Sequence, residues 1–154
     1  MQPQVDDGGQ QEVGVQAEDA VVLQALFDAA KLAFERAYAP YSRFSVGAAI
    51  LSADGRIYAA PNVENAAYPA GTCAEAGAIS AMIAGGSRRI AELVVVGAGE
   101  GLCTPCGACR QRIREFAEQE CPIHIAGPEG IRASFTLSTL LPYSFGPENL
   151  GSGA

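Results

Sequence analysis

Two short cysteine-bearing stretches constrain this chain more than any other feature. The first is Cys73-Ala74-Glu75, and the second is Pro105-Cys106-Gly107-Ala108-Cys109. Each stretch begins a segment with helical spacing. A tetrahedral zinc ion with three protein ligands keeps its fourth position for water, whereas a structural zinc site is closed by four ligands. The thiols of Cys73, Cys106 and Cys109 therefore predict a catalytic zinc site.

The composition predicts one globular domain. A chain of about 150 residues buries roughly 70% of its unfolded surface, and this chain has 154 residues, 49% of them hydrophobic. Its apolar runs are far shorter than the roughly 18 residues of a membrane span. The formal charge is −7 and Lys and Arg form no cluster, so we expect neither a nucleic acid nor a membrane as a partner. A small neutral or cationic substrate fits this charge.

The beginning of the chain differs in composition from the rest. Residues 1–18 are rich in Gln, Gly and acidic residues, without the basic and apolar regions of a signal peptide. They are predicted to be a disordered tail, and residues 19–154 a single catalytic domain. Five cysteines in a chain without a secretion signal favour metal binding or catalysis over disulfides. We expect a cytoplasmic protein.

Hydrophobic periodicity and turn residues predict nine elements. Asp19 is the predicted N-cap of the first helix, and Pro40 ends that helix. Asp54-Gly55 predicts a hairpin turn, and Ser138 is the predicted cap of a final helical turn. In chain order the elements are a helix at 19–38, strands at 44–51 and 57–63, a helix at 73–84, a strand at 93–98, a helix at 106–118, strands at 123–126 and 131–135, and a helical turn at 139–141.

This order predicts an α/β fold with three layers, α/β/α. The apolar run at 93–98 does not alternate, which is typical of a strand buried on both faces. Strand-helix-strand units call for right-handed crossovers and parallel pairing. We therefore expect a five-stranded mixed sheet with helices on both faces.

The predicted helix starts suit a metal ion. Cys106 and Cys109 are three residues apart, so one helical turn can direct both sulfurs at a single ion. The positive end of a helix dipole lowers thiol pKa values and favours thiolates. Zinc with three thiolates keeps one net negative charge, and the helix dipoles, Arg110 and Arg112 are the candidates to compensate it. Glu75 is a candidate to move protons beside the fourth zinc position.

Each motif also has a simpler interpretation. Thr72-Cys73-Ala74-Glu75 is also the sequence of a capping box, and Cys-x-x-Cys alone is often structural or redox-active. Their joint occurrence, each at the start of a predicted helix, favours the metal site. His124, the only histidine, is expected to be a core or surface residue rather than a fourth ligand. Cys103 and Cys121 lack motif spacing and are expected to be small core or loop residues.

A cysteine ligand, a Glu two residues later and a distant Pro-Cys-x-x-Cys together match the signature of zinc-dependent nucleobase deaminases. From about residue 19 to residue 150, the chain closely resembles the short-chain, homotetrameric cytidine deaminase family. Four further blocks carry this resemblance: Ala37-Tyr38-Ala39-Pro40-Tyr41-Ser42-Arg43-Phe44-Ser45-Val46-Gly47-Ala48-Ala49, Asn62-Val63-Glu64-Asn65-Ala66-Ala67-Tyr68, Pro105 to Gln111, and Leu140-Leu141-Pro142-Tyr143-Ser144-Phe145.

The resemblance implies roles for residues around a bound nucleoside. Asn62 and Glu64 match the pair that hydrogen-bonds a ribose hydroxyl, and an Asn/Glu pair suits neutral hydroxyl groups. The sequence has no cluster of Arg or Lys that would bind a phosphate. Phe44 and Phe145 match aromatic walls for the pyrimidine, and the backbone of Ala74 matches a contact with the base. A nucleoside substrate is therefore favoured over a nucleotide.

The resemblance also implies a shared active site. Ala66 and Tyr68 match residues that reach the sugar bound in a neighbouring subunit, which would make a homotetramer with one zinc ion per subunit a functional requirement. Arg110 and Gln111 are expected to support the zinc ligands without binding the metal. Many members of the family have Arg directly after the catalytic Glu, whereas this chain has Ala76. Arg110 or the helix dipoles are expected to replace its charge.

The predicted reaction is the hydrolytic deamination of cytidine and 2′-deoxycytidine, with release of ammonia, as part of pyrimidine salvage. In the family's chemistry a zinc hydroxide attacks C4 while Glu75 moves the protons. Two alternatives stay open at this point. One is a deaminase of the same fold acting on an aminated nucleoside antibiotic or another base. The other is a zinc-stabilised interaction module, which predicts a fourth protein ligand.

Overall fold

A computed structural model describes residues 17–151 of the chain. The predicted tail falls almost wholly outside this range. The elements of the described residues are α1 Ala17–Glu35, β1 Val46–Ser52, β2 Ile57–Pro61, α2 Ala74–Ala84, β3 Ile90–Gly97, α3 Gly107–Phe116, β4 Pro122–Gly127, β5 Gly130–Thr136 and α4 Leu137–Leu140, with short 3-10 helices at Tyr68–Ala70 and Pro147–Leu150.

The five strands form one mixed sheet with the order β2-β1-β3-β4-β5. Only β3 and β4 pair in parallel, and the other three pairs are antiparallel. The expected five-stranded mixed sheet is confirmed. The expected parallel pairing across the first strand-helix-strand unit is wrong, because β1 lies between β2 and β3. Since β2 occupies one edge of β1 as its hairpin partner, β3 adds to the other edge.

Helices cover both faces of the sheet, which confirms the three-layer α/β/α architecture. On one face α1 packs against the central strands through a buried cluster of Leu26, Phe27, Ala30, Ala49, Val94, Val96 and Ala126. On the other face α2 and α3 bury a larger cluster that includes Met82, Ile113, Leu93, Val95, Ile123 and Ile125. Successive β3 residues thus alternate between two cores, as the unalternating apolar run predicted.

Two predicted helix caps are wrong. The first helix begins at Ala17, so Asp19 lies in its first turn and is not the N-cap. A carboxylate in the first turn is still favourable beside the positive end of the helix. The last helix is capped by Thr136 rather than Ser138, because the Thr136 hydroxyl accepts a hydrogen bond from the Thr139 amide.

The chain leaves α1 at Glu35, well before Pro40, because a tertiary interaction replaces the last predicted turn. The Tyr38 amide donates to the Asn62 carbonyl at 3.0 Å, and the Glu64 amide donates to the Tyr38 carbonyl at 2.8 Å. This bridge joins the segment after α1 to the segment after β2. The bridge thus brings together residues 37–49 and residues 62–68, two of the blocks that carry the family resemblance.

Gly47 allows α1 to approach β1 closely. A Cβ atom at this position would overlap the Ala30 carbonyl oxygen and the Phe34 amide, both of which are helix backbone. We expect Gly47→Ala to lower the free energy of unfolding by about 3 kcal/mol or more, since a packed helix cannot move away cheaply. Urea unfolding measures this change. Gly101→Ala is the control, because no atom lies within 4 Å of a Cβ added there; equal stability of the two variants would contradict the prediction.

Among residues 17–151, none of the helices is both long enough and apolar enough to cross a bilayer.

Candidate active site

The three motif cysteines meet at the starts of two helices. Cys73 is the N-cap residue of α2, Cys106 is the N-cap residue of α3, and Cys109 follows in the first turn of α3. Their three sulfur atoms lie within 4.8 Å of one another. Four tetrahedral ligands at a Zn–S distance of about 2.3 Å are separated by about 3.8 Å, so the donor set fits a zinc ion. The structure therefore brings together all three predicted ligands.

The cluster has only three ligands in the part of the chain that the structure describes, since no fourth His, Cys, Asp or Glu side chain joins it. His124 lies elsewhere, in the middle of β4. Its Nδ1 contacts the Ser134 hydroxyl and its Nε2 contacts a Glu92 carboxylate oxygen, both at 2.6 Å. His124 is thus a buried structural residue, as expected. A three-ligand centre leaves a coordination position open, as a catalytic site requires.

Glu75 is buried beside the cluster and does not act as a helix cap. The capping-box interpretation is wrong, because Cys73 rather than Thr72 is the N-cap residue and it makes no side-chain capping hydrogen bond. Only 5% of Glu75 is exposed. Burial raises the pKa of its carboxyl group, while its own backbone amide, Cys109 and Arg112 act in the opposite direction. A carboxyl group with a raised pKa is suited to accept and then donate a proton.

Burial and hydrogen bonds shift the pKa values of the three thiols in different directions. The pKa of Cys106 is lowered, chiefly by a hydrogen bond from the Cys109 amide at the start of α3, as predicted for a helix N-terminus. The pKa values of Cys73 and Cys109 are raised, mainly by desolvation, so the prediction of lowered thiol pKa values fails for these two. Desolvation of the charged form outweighs the helix dipole there. A cation between the sulfurs would supply the missing stabilisation of the thiolates.

A cavity of about 510 Å³ opens beside the cysteine cluster. It is lined by four of the predicted site residues, namely Asn62, Glu64, Tyr68 and Cys73, together with Tyr41, Ser42 and neighbouring loop residues. The other predicted substrate contacts, Phe44, Ala66, Ala74 and Phe145, are not among its lining residues. Ala74 is fully buried at the start of α2, whereas 58% of Phe145 is exposed. This cavity therefore takes in only part of the predicted nucleoside site.

Asn62 and Glu64 hold the loop between α1 and β1. The Asn62 side chain accepts from the Val46 amide and donates to the Phe44 carbonyl, both at 2.9 Å. A Glu64 carboxylate oxygen accepts from the backbone amides of Tyr41 and Ser42 at 2.9 and 3.0 Å. The Ser42 side chain, followed by these amides, lowers the pKa of Glu64. These backbone partners of Glu64 were not anticipated, because nothing in their side chains indicates them.

Loss of the Asn62 side chain should destabilise the fold. Asn62→Ala leaves the Val46 amide and the Phe44 carbonyl without their partner. We expect the free energy of unfolding to fall by about 2 kcal/mol in urea unfolding. Gln24→Ala is the control: it removes an exposed hydrogen bond to Asp28, and we expect a change below about 0.5 kcal/mol. An Asn62→Ala variant as stable as that control would count against this role.

Arg110 and Gln111 support the site from α3 without touching the cysteine sulfurs. Arg110 donates to the Pro105 and Leu140 carbonyls, both at 2.7 Å, and to the Thr104 hydroxyl at 3.1 Å. Gln111 donates to the Phe145 carbonyl at 2.9 Å. The guanidinium of Arg110 is thus engaged with neutral oxygens. The expectation that Arg110 compensates the third thiolate has no support from these contacts.

Arg114 and Arg112 make contacts near the site that the sequence analysis does not predict. Arg114 donates to the Ser144 hydroxyl at 2.8 Å and pairs with Glu148, which anchors the segment that carries Phe145. No sequence pattern joins these positions, since they are 30 and 34 residues apart. Arg112 contacts the sulfur of Cys109, with Nη1 at 3.7 Å. Its helical i,i+3 spacing from Cys109 was a usable signal for this contact.

The two cysteines outside the motif have structural surroundings. Cys121 is buried in the larger core, and burial raises its pKa to about 12. Cys103 is partly buried and lies against Gly97, where an added Cβ would overlap its side chain. Both are core or loop residues, as expected.

A three-thiol cluster with no fourth ligand among residues 17–151, next to a buried carboxyl group, is typical of a zinc-dependent hydrolase. Residues 21–125 match the family described as the cytidine and deoxycytidylate deaminase zinc-binding region. The chain therefore belongs to that family, and it is a deaminase that uses zinc.

Individual relatives agree with this assignment. The chain is 42% identical over 132 residues to the cytidine deaminase of Sporosarcina psychrophila, which covers 86% of this chain and 97% of that protein. The crystal structure of cytidine deaminase from Burkholderia pseudomallei aligns with a TM-score of 0.73 and 41% identity, over 79% of this chain and 98% of that one. For the Mycobacterium tuberculosis enzyme the values are 0.69 and 39%, over 80% and 97%.

Proposed function

We propose that this protein catalyses the hydrolytic deamination of cytidine and 2′-deoxycytidine to uridine and 2′-deoxyuridine, as a step of pyrimidine salvage. One observation carries the proposal: the three-thiol cluster lies open beside a buried Glu75 and borders a cavity lined by Asn62 and Glu64. The relatives named cytidine deaminase support the choice of base. The five free cysteines fit a reducing compartment, so we place the reaction in the cytoplasm.

The metal centre and Glu75 have separate tasks. Cys73, Cys106 and Cys109 would hold the zinc ion, which when bound would lower the pKa of a water molecule to near neutrality and so supply the nucleophile. Glu75 takes a proton from the attacking water and delivers it to N3 of the pyrimidine ring. It then delivers the second water proton to the amino group on C4, which leaves as ammonia. Since burial raises the pKa of Glu75, its carboxyl group can hold each proton between these transfers.

The cavity favours a nucleoside over a nucleotide. Its polar lining includes the Asn62 amide and the Glu64 carboxylate, which hydrogen-bond neutral hydroxyl groups well. The lowered pKa of Glu64 keeps this carboxylate charged, so it repels a phosphate group. We place Asn62 and Glu64 on a ribose hydroxyl, Phe44 and Phe145 against the pyrimidine ring, and the Ala74 backbone on the base. Cytidine should therefore be turned over far faster than cytidine 5′-phosphate.

We propose a homotetramer in which neighbouring subunits share their sites, with one zinc ion per subunit. The support is the incomplete site of the single chain: Ala66 and Phe145 are exposed and do not line the cavity. Tyr68 lines the cavity of its own chain, yet 76% of it is exposed and available to the sugar bound in a neighbour. Such exposed aromatic rings are common at subunit contacts.

Subunit mixing tests the sharing. Differently tagged Tyr68→Ala and Glu75→Gln chains are co-expressed, and the mixed oligomers are purified through both tags. If Tyr68 serves a neighbour's site, some mixed sites contain both native residues, and activity exceeds that of either parent variant. No recovery of activity in confirmed mixed oligomers would show that Tyr68 serves its own chain. Light scattering gives the oligomeric state independently, and a monomer with full activity would end the tetramer proposal.

The decisive experiment follows the ultraviolet absorbance of cytidine mixed with the purified protein. Rapid loss of the cytidine band that stops on zinc removal and returns on zinc addition is the expected result. Turnover of an aminated nucleoside antibiotic in place of cytidine would keep the chemistry and overturn the substrate. No turnover of either compound at full zinc occupancy would favour the interaction module, although that alternative predicts a fourth ligand that residues 17–151 do not offer.

A further inference from the structure

The zinc site has an unbalanced charge. A divalent ion with three thiolates keeps one net negative charge, and the carboxyl group of Glu75 lies buried beside it. Negative charge in a poorly solvated site is costly unless a positive group lies close. The starts of α2 and α3 supply partial positive charge. A full charge on a side chain is the stronger means of compensation.

Arg110 and Arg112 follow the ligand Cys109 by one and three residues in α3, and their contacts differ. The guanidinium of Arg110 is occupied by two carbonyl oxygens and one hydroxyl, so it braces the loop before α3 and the end of α4. Arg112 has no such oxygen partners among residues 17–151. Its Nη1 instead lies 3.7 Å from the sulfur of Cys109, within the range of a hydrogen bond to sulfur.

We propose that Arg112 is a positioning residue of the zinc centre: its guanidinium donates to the Cys109 sulfur and offsets the charge of the third thiolate. This inference rests on the ligand set of the proposed function, but not on which nucleoside is the substrate. A hydrogen bond to a ligating sulfur reduces the electron density that the sulfur donates to the metal, so the metal stays a better Lewis acid.

The exposure of the Arg112 side chain limits how much its loss should weaken zinc binding. Arg112 is exposed in the single chain, so water and salt screen part of its charge. Loss of an outer partner of a metal ligand typically weakens metal binding about 10–100-fold. We expect the lower end, a loss of about tenfold, for Arg112→Met, which keeps an unbranched apolar side chain and removes the charge. Arg112→Lys keeps the charge and should retain most of the affinity.

The test measures zinc affinity of the full chain by competition with a chromophoric chelator. Arg89→Met is the matched control, because Arg89 is an exposed arginine paired with Glu118 away from the cluster. The expected order of zinc affinity is wild type, Arg89→Met and Arg112→Lys above Arg112→Met, with the far-ultraviolet circular dichroism of all four proteins alike. Unchanged affinity in Arg112→Met would overturn the proposal. So would an equal loss in Arg112→Lys, because charge would then not be the cause.

A spectroscopic arm separates a charge effect from loosened packing. Cobalt(II) replaces zinc, and the sulfur-to-cobalt charge-transfer band reports how strongly the sulfurs donate. Loss of the hydrogen bond to Cys109 should move this band to longer wavelength in Arg112→Met and leave it in place in Arg89→Met. An unmoved band in Arg112→Met, or a shift seen with Arg110→Met instead, would contradict the assignment. Failure of the wild type to bind zinc or cobalt would refute the metal centre itself, which is a separate result.

Discussion

Replacement of Glu75 by Gln is expected to abolish most turnover while zinc stays bound. The amide has nearly the same shape as the carboxyl group but cannot take a proton from water or carry it to the ring nitrogen. Positioned proton transfer contributes about 10²–10⁴-fold to a rate, and Glu75 serves two transfers in the proposed reaction. We therefore expect kcat to fall by at least about 10²-fold. Steady-state assays with cytidine and zinc analysis of the same sample measure both quantities.

The surroundings of Glu75 make this variant easy to interpret. The carboxyl group is buried, and burial raises its pKa, so removal of its charge should not destabilise the fold. Glu92→Gln is a matched control, because Glu92 is a partly buried glutamate whose partner is His124 on β4 and not the cysteine cluster. It should retain near-native kcat. Substantial turnover by Glu75→Gln with zinc bound would refute the proton-transfer role.

Replacement of Cys106 by Ala is expected to remove the metal together with the activity. Cys106 is one of three ligands and the N-cap residue of α3, so its loss leaves two sulfurs for the ion. Zinc content should fall from one ion per chain to near zero. Since metal binding stabilises the folded state, a chelator should lower the Tm of the wild type. The Tm of Cys106→Ala should already be low and should not respond to the chelator.

The same chemical change outside the cluster supplies the control for this experiment. Cys121→Ala also replaces a thiol by a methyl group, but in the larger core, where it leaves a small cavity. We expect a lower Tm with one zinc ion per chain and a normal response to the chelator. If Cys106→Ala retained a full complement of zinc, the three-cysteine ligand set would be wrong.

The chemistry of the site depends on elements that meet only in the folded chain. The ligands come from the starts of α2 and α3, while Asn62 and Glu64 follow β2 and hold the loop before β1. The bridge between Tyr38 and the segment after β2 closes this arrangement. A change in the Tyr38 bridge, or in the loop that Asn62 and Glu64 hold, should therefore alter substrate binding before it alters the metal ligands.

The sequence by itself determined the features that depend on short spacing. Helix starts at the two cysteine motifs, the Asp54-Gly55 hairpin and the doubly buried run at 93–98 all follow from neighbours along the chain. The three ligands were predictable because Cys-x-x-Cys at the start of one helix, combined with Cys-x-Glu at the start of another, is typical of a zinc site and of few other kinds of site. Element boundaries were less predictable, as Asp19 and Ser138 show, because caps depend on the local backbone path.

Only the tertiary structure decided what depends on distant partners. Strand β3 pairs with β1 rather than with β2, because it adds to the edge of β1 that the hairpin leaves free. The sequence does not show which edge of the hairpin the next strand joins. The pKa values of Cys73 and Cys109 rise rather than fall, because burial outweighs the helix dipole. Arg110 binds carbonyl oxygens while Arg112 reaches the sulfur of Cys109. Arg110 and Arg112 are two residues apart on one helix and so face different neighbours. Spacing along the chain does not reveal which neighbours the fold places there.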